Sequence, residues 1–380
     1  MNNRILVISN SSFSSGAENS LSEMVGKLGE KYKFVMALSS KSGLSISGIF
    51  DIYYLPFIWF HKTSNPFKLL LFVWNILKCS ISLCRIIKKH RIGVIYANTS
   101  KANIYAIIVK IFTGKKIVWH VRDNLKLTPL NRLFIRYSDV IVTVSEHIAE
   151  QVDSNCGKVH VIYGGVDTKQ WSPEMKPDFS LREELGLTEE TLIVAQVGQL
   201  TRWKNHSDFI KAANIIGKEH SNVHFLLIGS DLSEREADYR KELEELVTDE
   251  CISFLGHRKD IEKVLVQIDI LVHPSINEPF GRVLVEAMAL KKPVVAYNCG
   301  GPKEIITDGK TGYLVEQYNF KELAVRILYL MEKETIRAEM GEIARRKVIK
   351  EFNINKNIKG MEKLFTDNIF CKKNIQKTNM

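Results

Sequence analysis

The chain has 380 residues, 45% of them hydrophobic and 25% charged, which excludes a largely disordered protein and fits two α/β domains better than one core. Its six cysteines are scattered, with no Cys-x-x-Cys pair and no histidine cluster at metal-ligand spacing, which excludes a disulfide framework and a zinc site and indicates a reducing compartment. The net charge of +10 lies wholly in the first half, because residues 1–165 hold 21 Lys and Arg against 9 Asp and Glu, whereas the remainder holds 32 against 34. An anionic surface or substrate is therefore expected to face the first half.

From the N-terminus onward, short apolar runs alternate with helical stretches, which predicts parallel sheets covered by helices. The first run, at residues 5–8, is too short for a signal peptide and is predicted as a buried strand. Strands of the first half are expected at 4–9, 33–38, 92–97, 116–121, 139–144 and 159–163. Helices are expected between them, notably at 17–28, 66–89 and 101–112.

A stretch rich in turn-forming residues, at 163–173, separates this half from a second one with the same rhythm. Strands of the second half are expected at 191–197, 223–228, 252–254, 270–273, 293–297 and 312–315. We place an N-terminal domain at residues 1–165 and a C-terminal domain at 166–351. Residues 352–380 are predicted as a C-terminal helix, and whether it returns to the first domain is left open.

The segment at 69–87 is the one place where a membrane contact is considered. Lys78, Asn75 and Arg85 interrupt it, so its uninterrupted apolar run is well under the ~20 residues of a membrane span. A buried crossover helix is the favoured interpretation. A helix partly inserted in the bilayer interface is the alternative, which the basic cluster at the end of the segment supports.

The strongest chemical signal is the segment 273–288, where a strand leads through a loop into a helix. Gly281 permits a close backbone approach, and the free N–H groups of the helix start suit phosphate oxygens. Glu286, about one turn inside the helix, can accept hydrogen bonds from a ribose diol, and Glu278 lies on the side of the attached sugar. The candidate donor-binding residues of this segment are Glu278, Phe280, Gly281, Arg282, Val283 and Glu286.

This segment resembles that of the retaining GT-B glycosyltransferases of family 4, whose mark is two glutamates separated by seven residues around a Glu-Gly/Pro-Phe-Gly sequence. Three further pieces resemble family motifs in the expected order, namely Ser15-Gly16-Ala17-Glu18, Gly164-Gly165-Val166-Asp167 and Gly300-Gly301-Pro302-Lys303-Glu304. The resemblance covers nearly the whole chain. It implies a GT-B fold, with two Rossmann-like, doubly wound parallel-sheet domains that face an interdomain cleft.

A second candidate site follows the strand at 191–197. In the family this loop carries an Arg and a Lys that bind the donor diphosphate; Lys204 matches the Lys, whereas Gln199 stands at the Arg position. Arg202 lies nearby and is the candidate replacement. Such cations stabilise the negative charge that grows on the leaving diphosphate. They replace a divalent metal, for which the sequence has no Asp-x-Asp motif, so no metal and no cofactor are expected.

Two candidates lie in the first half. His120 ends the strand at 116–121 and should project at its carboxyl edge, where ligands of open α/β sheets bind. The resemblance places it near the reacting sugar, either as a hydrogen-bonding group or as the acceptor of a proton, and a structural histidine is the alternative. Gly16 ends the loop after the first strand, at the start of a helix whose N–H groups suit a phosphate. The loop is neither a dinucleotide loop nor a Walker loop, which disfavours NAD and ATP.

The resemblance implies retaining transfer of a sugar from a nucleoside diphosphate to an acceptor hydroxyl. The catalytic candidates are His120 and Glu278. We expect a sugar or lipid-linked sugar as the acceptor, a role in bacterial surface polysaccharide assembly, and a cytoplasmic protein with peripheral contact to the anionic inner face of the cell membrane. A nucleotide-sugar epimerase of the same fold and a non-catalytic nucleotide-sugar-binding protein are the alternatives. Nucleic acid is not an expected partner, because aromatic residues are not interleaved with the basic ones.

Overall fold

A computed structural model gives the structure, which describes residues 3–10, 16–39, 47–58, 65–152, 157–230 and 237–370. The chain folds into two compact units, one formed by residues 1–163 with the segment from Asn357 onward, the other by Gly164–Lys356. The boundaries expected at residues 165 and 351 lie two and five residues from these points. Residues 11–15, which form the loop before Gly16 and include Ser15, lie outside the described residues. So do Cys156 and the tail after Phe370, which contains Cys371.

The first unit contains a seven-stranded sheet in which every described pairing is parallel. Its strands are β1 (Arg4–Ser9), β2 (Lys33–Leu38), β3 (Ile49–Tyr54), β4 (Val94–Ala97), β5 (Lys116–Val121), β6 (Val140–Thr143) and β7 (Val159–Val161). Its helices up to this point are α1 (Gly16–Leu28), α2 (Pro66–His90), α3 (Ser100–Thr113), α4 (Pro129–Tyr137) and α5 (Glu146–Val152).

The order of this sheet is β3-β2-β1-β4-β5-β6-β7, so the direction of winding reverses between β1 and β4. All four residues of β4 are buried, as continuous apolar runs are when helices cover both faces of a sheet. The edge strand β3 instead alternates between half-buried and exposed residues. No strand is predicted there from the sequence, although all of its residues except Asp51 are apolar or aromatic.

The second unit contains a six-stranded parallel sheet in the order β10-β9-β8-β11-β12-β13. In chain order its elements are α6 (Leu181–Leu185), β8 (Leu192–Val197), α7 (His206–Gly217), β9 (Val223–Ile228), α8 (Ala237–Leu246), β10 (Ile252–Gly256), α9 (Ile261–Leu265), β11 (Ile270–His273), α10 (Arg282–Ala289), β12 (Val294–Tyr297), α11 (Pro302–Ile305), β13 (Gly312–Val315), α12 (Phe320–Glu332) and α13 (Glu334–Glu351). Winding reverses between β8 and β11.

The chain ends in α14 (Ile354–Leu364) and a π-helical turn, Phe365–Phe370. From Asn357 onward this segment packs within the first unit. The Asn357 side chain donates a hydrogen bond of 2.6 Å to the Tyr163 carbonyl, and the buried Phe365 ring lies against Tyr32 and Tyr96. The end of the chain thereby covers one face of the first sheet.

The favoured interpretation of the segment at 69–87 as a buried crossover helix is wrong for its first half. Helix α2 does cross over between β3 and β4, but its buried residues begin only at Cys79. Only 28% of its most apolar 18-residue window is buried, and by length and composition α2 could cross a membrane. The stretch between Pro66 and Lys78 therefore exposes apolar side chains that a core helix would bury.

Candidate active site

Two loops of the second unit leave the carboxyl edge of its sheet where the winding reverses. One follows β8 and the other follows β11, and these two strands are neighbours. In open α/β sheets such a reversal opens a crevice for ligands, because the two loops turn to opposite sides. The Trp203 carbonyl of the first loop accepts a hydrogen bond of 3.0 Å from the Ile276 N–H of the second, which joins the loops.

A buried ion pair lies where the two loops meet. Lys204 Nζ is 2.6 Å from Glu278 Oε2, and His273 Nε2 contacts the same oxygen at 2.9 Å. Glu278 is 7% exposed and His273 is 1% exposed. The Lys204 ammonium also lies 4.2 Å from the centroid of the Trp203 ring, and the Gln196 side chain donates to the Lys204 carbonyl at 2.9 Å. The loop after β8 is thus held so that its cation reaches the loop after β11.

The charges of this cluster follow from its burial. Burial alone would raise the pKa of Glu278, but the Lys204 ammonium and the hydrogen bond with His273 outweigh it, and the pKa lies well below its usual range. Burial lowers the pKa of His273, with a further contribution from Lys204. Burial likewise lowers the pKa of His206 to about 3, again helped by Lys204. At neutral pH the cluster therefore consists of an ammonium, a carboxylate and two neutral imidazoles.

Helix α10 begins directly beside this carboxylate. Its N-cap, Gly281, has φ +99°, and a Cβ there would lie 2.9 Å from the Leu284 Cδ1 and 3.5 Å from the Glu278 Cγ. Only glycine adopts this conformation without strain, so the close approach depends on it. The first N–H groups of a helix have no intrahelical acceptor and attract anions. In the first turn Arg282 Nε donates 2.7 Å to Glu286 Oε1, which fixes that carboxylate.

The loop that contains Gly301, before α11, contacts the backbone of the loop that carries Glu278. The Gly301 N–H donates to the Glu278 carbonyl at 2.9 Å. A Cβ on Gly301 would lie 2.1 Å from the Phe280 carbonyl oxygen, so the two backbones are in direct contact. Since no side chain fits between them, a glycine is required at this position.

In the first unit His120, the last residue but one of β5, belongs to a buried hydrogen-bonded chain. Arg122 donates to the Tyr96 hydroxyl, and that hydroxyl lies 2.5 Å from His120 Nδ1. The Tyr96 hydroxyl can donate its own proton to Nδ1, an arrangement in which the ring proton of His120 lies on Nε2. Nε2 is buried and has no hydrogen-bond partner among the described residues. Burial, with the Arg122 charge, lowers the pKa of His120 well below its usual value.

Two family models match the chain: Glycosyltransferase Family 4 over residues 15–170 and Glycosyl transferases group 1 over residues 178–347. The chain belongs to the family 4 glycosyltransferases. Among curated relatives of this glycosyltransferase, the capsular polysaccharide biosynthesis glycosyltransferase CapM of Staphylococcus aureus is 25% identical, over 76% of this chain and 80% of that protein. The N-acetyl-alpha-D-glucosaminyl L-malate synthase of Bacillus anthracis is also 25% identical, over 82% of this chain and 84% of the relative.

Solved structures give the fold of this glycosyltransferase as GT-B. Anabaena HepE in complex with UDP-glucose superposes with a TM-score of 0.80 at 25% identity, over 96% of this chain and 99% of that one. A glycosyltransferase from Rickettsia africae superposes with a TM-score of 0.82 at 22% identity, over 98% of this chain and 100% of its own. The expected α/β class with two parallel-sheet units is therefore confirmed.

The structure of the glycosyltransferase brings Lys204, Glu278 and Gly281 together, whereas the side chains of Arg202 and Phe280 have partners outside this cluster. Arg202 forms a bidentate ion pair with Glu242, with distances of 2.8 Å from Nη1 to Oε2 and 2.6 Å from Nη2 to Oε1, and both side chains are exposed. The Phe280 ring is buried and packs against Phe352, so its side chain belongs to the core of the unit. Val283 is half-buried in the first turn of α10, and Gly16 is the first residue of α1.

Two histidines of the glycosyltransferase cluster have no role assigned from the sequence. His273 contacts Glu278 directly, and His206 is the first residue of α7, with both of its ring nitrogens buried. The sequence signal that could have identified them is their position: His273 ends β11, and His206 follows Lys204 by two residues. Each thus lies at the carboxyl edge of the sheet, where polar residues meet ligands.

Proposed function

We propose that this enzyme transfers a sugar, with retention of anomeric configuration, from a nucleoside diphosphate to an acceptor hydroxyl during assembly of a bacterial surface polysaccharide. The observation that carries the proposal is the buried Lys204–Glu278 pair beside the start of α10, at the reversal point of the second sheet. A structural neighbour solved with UDP-glucose supports a nucleotide sugar as the donor.

The donor diphosphate binds between Lys204 and the first N–H groups of α10. As the bond from sugar to phosphate breaks, negative charge grows on the leaving diphosphate, and a fixed ammonium with fixed N–H groups stabilises that charge without reorganisation. Glu278 holds Lys204 in place through Oε2. Its other oxygen, Oε1, accepts a hydrogen bond from a hydroxyl of the donor sugar, and Glu286 accepts from the ribose diol.

His120 serves as a hydrogen-bond donor rather than as a base. Its Nδ1 is engaged by the Tyr96 hydroxyl, and burial lowers its pKa, so the ring binds a proton weakly. The Nε2–H is the group that meets a substrate oxygen. Gly16 and Val283 contribute backbone N–H groups at helix starts, Arg282 positions the Glu286 carboxylate, and Phe280 supports the loop by packing against Phe352. Arg202, which pairs with Glu242, has no part in this scheme.

Retention follows from attack on the face that the diphosphate leaves, with a phosphate oxygen taking the proton of the incoming hydroxyl. We assign the charge stabilisation of this step to Lys204 and the α10 start, so activity is expected to persist in EDTA. The acceptor is a sugar, carried on an anionic lipid at the cytoplasmic face of the membrane. The basic first half and the named role of CapM in capsule biosynthesis support this choice.

The test begins with a thermal-shift screen of UDP-, GDP- and other nucleotide sugars. The selected donor is then incubated with and without candidate acceptors, in the presence of EDTA, and the product anomer is assigned by NMR. Release of nucleoside diphosphate that depends on an acceptor, with a retained anomer, is the expected result. Conversion of the donor sugar without an acceptor would identify an epimerase, and binding without turnover would identify a non-catalytic protein. Either outcome overturns the proposal.

A further inference from the structure

The first half of α2 carries a row of exposed apolar side chains. Large apolar residues that are 45% exposed or more stand at Phe67, Leu69, Leu70, Leu71, Val73, Trp74, Leu77 and Ile81. Positions 67, 70, 74, 77 and 81 follow one another at spacings of three and four, so they form a single stripe along the helix. Leu70 is 64% exposed and Trp74 is 66% exposed. Such a contiguous patch marks an interaction site.

The second half of the same helix is held against the unit. The Asn65 side chain caps the N-terminus, and the Asn75 side chain donates 2.8 Å to the Pro56 carbonyl. Cys79 and Leu83 are buried at 1% and 0% exposure. The second half of α2 is therefore docked on the unit, whereas residues 66–71 at its start are exposed on every side. Since the buried residues from Cys79 onward belong to the core of the unit, lipid cannot surround the whole of α2, which disfavours a membrane span despite its length.

The sequence around this surface is strongly basic. Residues 51–139 hold fifteen Lys and Arg against three acidic residues, of which Asp51 lies beside Lys89 and His90 at the end of α2. Helix α2 has no acidic residue, and its stripe continues past Ile81 to Arg85 and Lys88, both exposed. A second copy would bring two such basic surfaces together, which like-charge repulsion opposes. An anionic bilayer supplies both an apolar phase for the stripe and a counter-charge for its basic end.

We propose that the stripe from Phe67 to Ile81 inserts into the interface of an anionic lipid bilayer, with Lys78, Arg85 and Lys88 at the headgroups. Helix α2 follows the parallel strand β3 and returns antiparallel to it, so its first half lies near the carboxyl edge of the first sheet. His120, the last residue but one of β5, lies at that same edge. The bilayer surface is then on the side where a lipid-linked acceptor must arrive; this last clause rests on the proposed function.

The full-length protein is tested by co-sedimentation with vesicles of phosphatidylcholine, with and without about 30% phosphatidylglycerol. The variant Leu70→Gln/Trp74→Gln/Leu77→Gln removes the stripe, and Lys78→Gln/Arg85→Gln/Lys88→Gln removes its cations. The control Ile111→Gln/Phe112→Gln changes two side chains of α3 that are 66% and 71% exposed. Tryptophan quenching by brominated lipid is compared between the parent and Trp74→Phe, which keeps a large apolar group.

We expect the parent and the α3 control to sediment with anionic vesicles, and the stripe variant to bind at least about a hundredfold more weakly. The cation variant should lose the preference for anionic lipid, and Trp74→Phe should lose part of the quenching. Equal binding by the stripe variant, absence of binding by the parent, or a dimer that the stripe variant abolishes would overturn the inference. Nucleotide-sugar binding, measured in solution, should be the same in all variants, so failure of the proposed function is recognised separately.

Discussion

Replacement of Lys204 by methionine tests the ion pair on which the donor site is built. The substitution keeps the length and apolar stem of the side chain but removes the charge. Lys204 and Glu278 are buried, with side chains 13% and 9% exposed. Glu278 would then remain as a buried carboxylate with only the neutral His273 as a partner.

The expected cost is about 3–5 kcal/mol, because removal of one partner of a buried pair leaves the other charge uncompensated. For a unit of this size, that corresponds to a fall in Tm of about 6 to 20 °C. Loss of Lys204 should also raise the pKa of Glu278, because the largest contribution that opposes the effect of burial is removed. A carboxyl whose pKa is higher in the folded state than in the unfolded state loses stability as pH rises. The deficit should therefore shrink between pH 7 and pH 5.

Thermal and urea unfolding, followed by circular dichroism, measure this cost. The double variant Lys204→Met/Glu278→Gln should recover at least half of the loss, because it removes the orphaned charge. The matched control is Arg202→Met, two residues away, whose pair with Glu242 is 60% and 47% exposed. That change should cost less than about 1 kcal/mol. A Lys204→Met protein as stable as the control, or a double variant with no recovery, would refute the reasoning.

Three further outcomes are expected. Glu286→Gln should raise the Kd of the nucleotide sugar about tenfold in calorimetry with little change in Tm, because the ribose diol loses a charged acceptor; an unchanged Kd would remove Glu286 from the site. Tyr96→Phe should lower kcat about tenfold at an unchanged donor KM, because the His120 ring loses the hydrogen bond that fixes it; an unchanged kcat would show that this bond has no part in the reaction. Between pH 7 and pH 5 the folded state should lose about 2 kcal/mol through His206, whose pKa is about 3 when folded and about 6.5 when unfolded, so that protons favour the unfolded chain; a His206→Gln protein with the same pH slope as the parent would contradict this.

Much of the fold is predictable because strands buried on both faces are continuous apolar runs. The strands β1, β2, β5, β9, β11 and β13 begin and end at the residues expected from the sequence. Strand β3 is not predicted, although all of its residues except Asp51 are apolar or aromatic, which is an ordinary strand signal. Helix α4 is also missed, although Thr128 as its N-cap and Pro129 at its first position are ordinary start signals.

The candidate site shows where prediction from one sequence stops. Spacing along the chain selects Glu278, Gly281 and Lys204, because each is part of a local motif. It does not show that Lys204 and His273 both contact the same oxygen of Glu278, since Lys204 and Glu278 lie on loops 74 residues apart. Nor does it show that Glu242 engages Arg202. The apolar run of α2 is interpreted as core because hydropathy alone does not show which face of a helix the fold covers.

Calorimetric titration of the nucleotide sugar selected by the thermal-shift screen tests the assigned donor site most directly. The double variant Lys204→Met/Glu278→Gln is compared with the parent, and the unphosphorylated nucleoside serves as the control ligand. We expect the double variant to bind the nucleotide sugar at least about thirtyfold more weakly, since it lacks a charged hydrogen bond to the diphosphate, and to bind the nucleoside as the parent does. Equal affinity of the two proteins for the nucleotide sugar would contradict the placement of the diphosphate at Lys204.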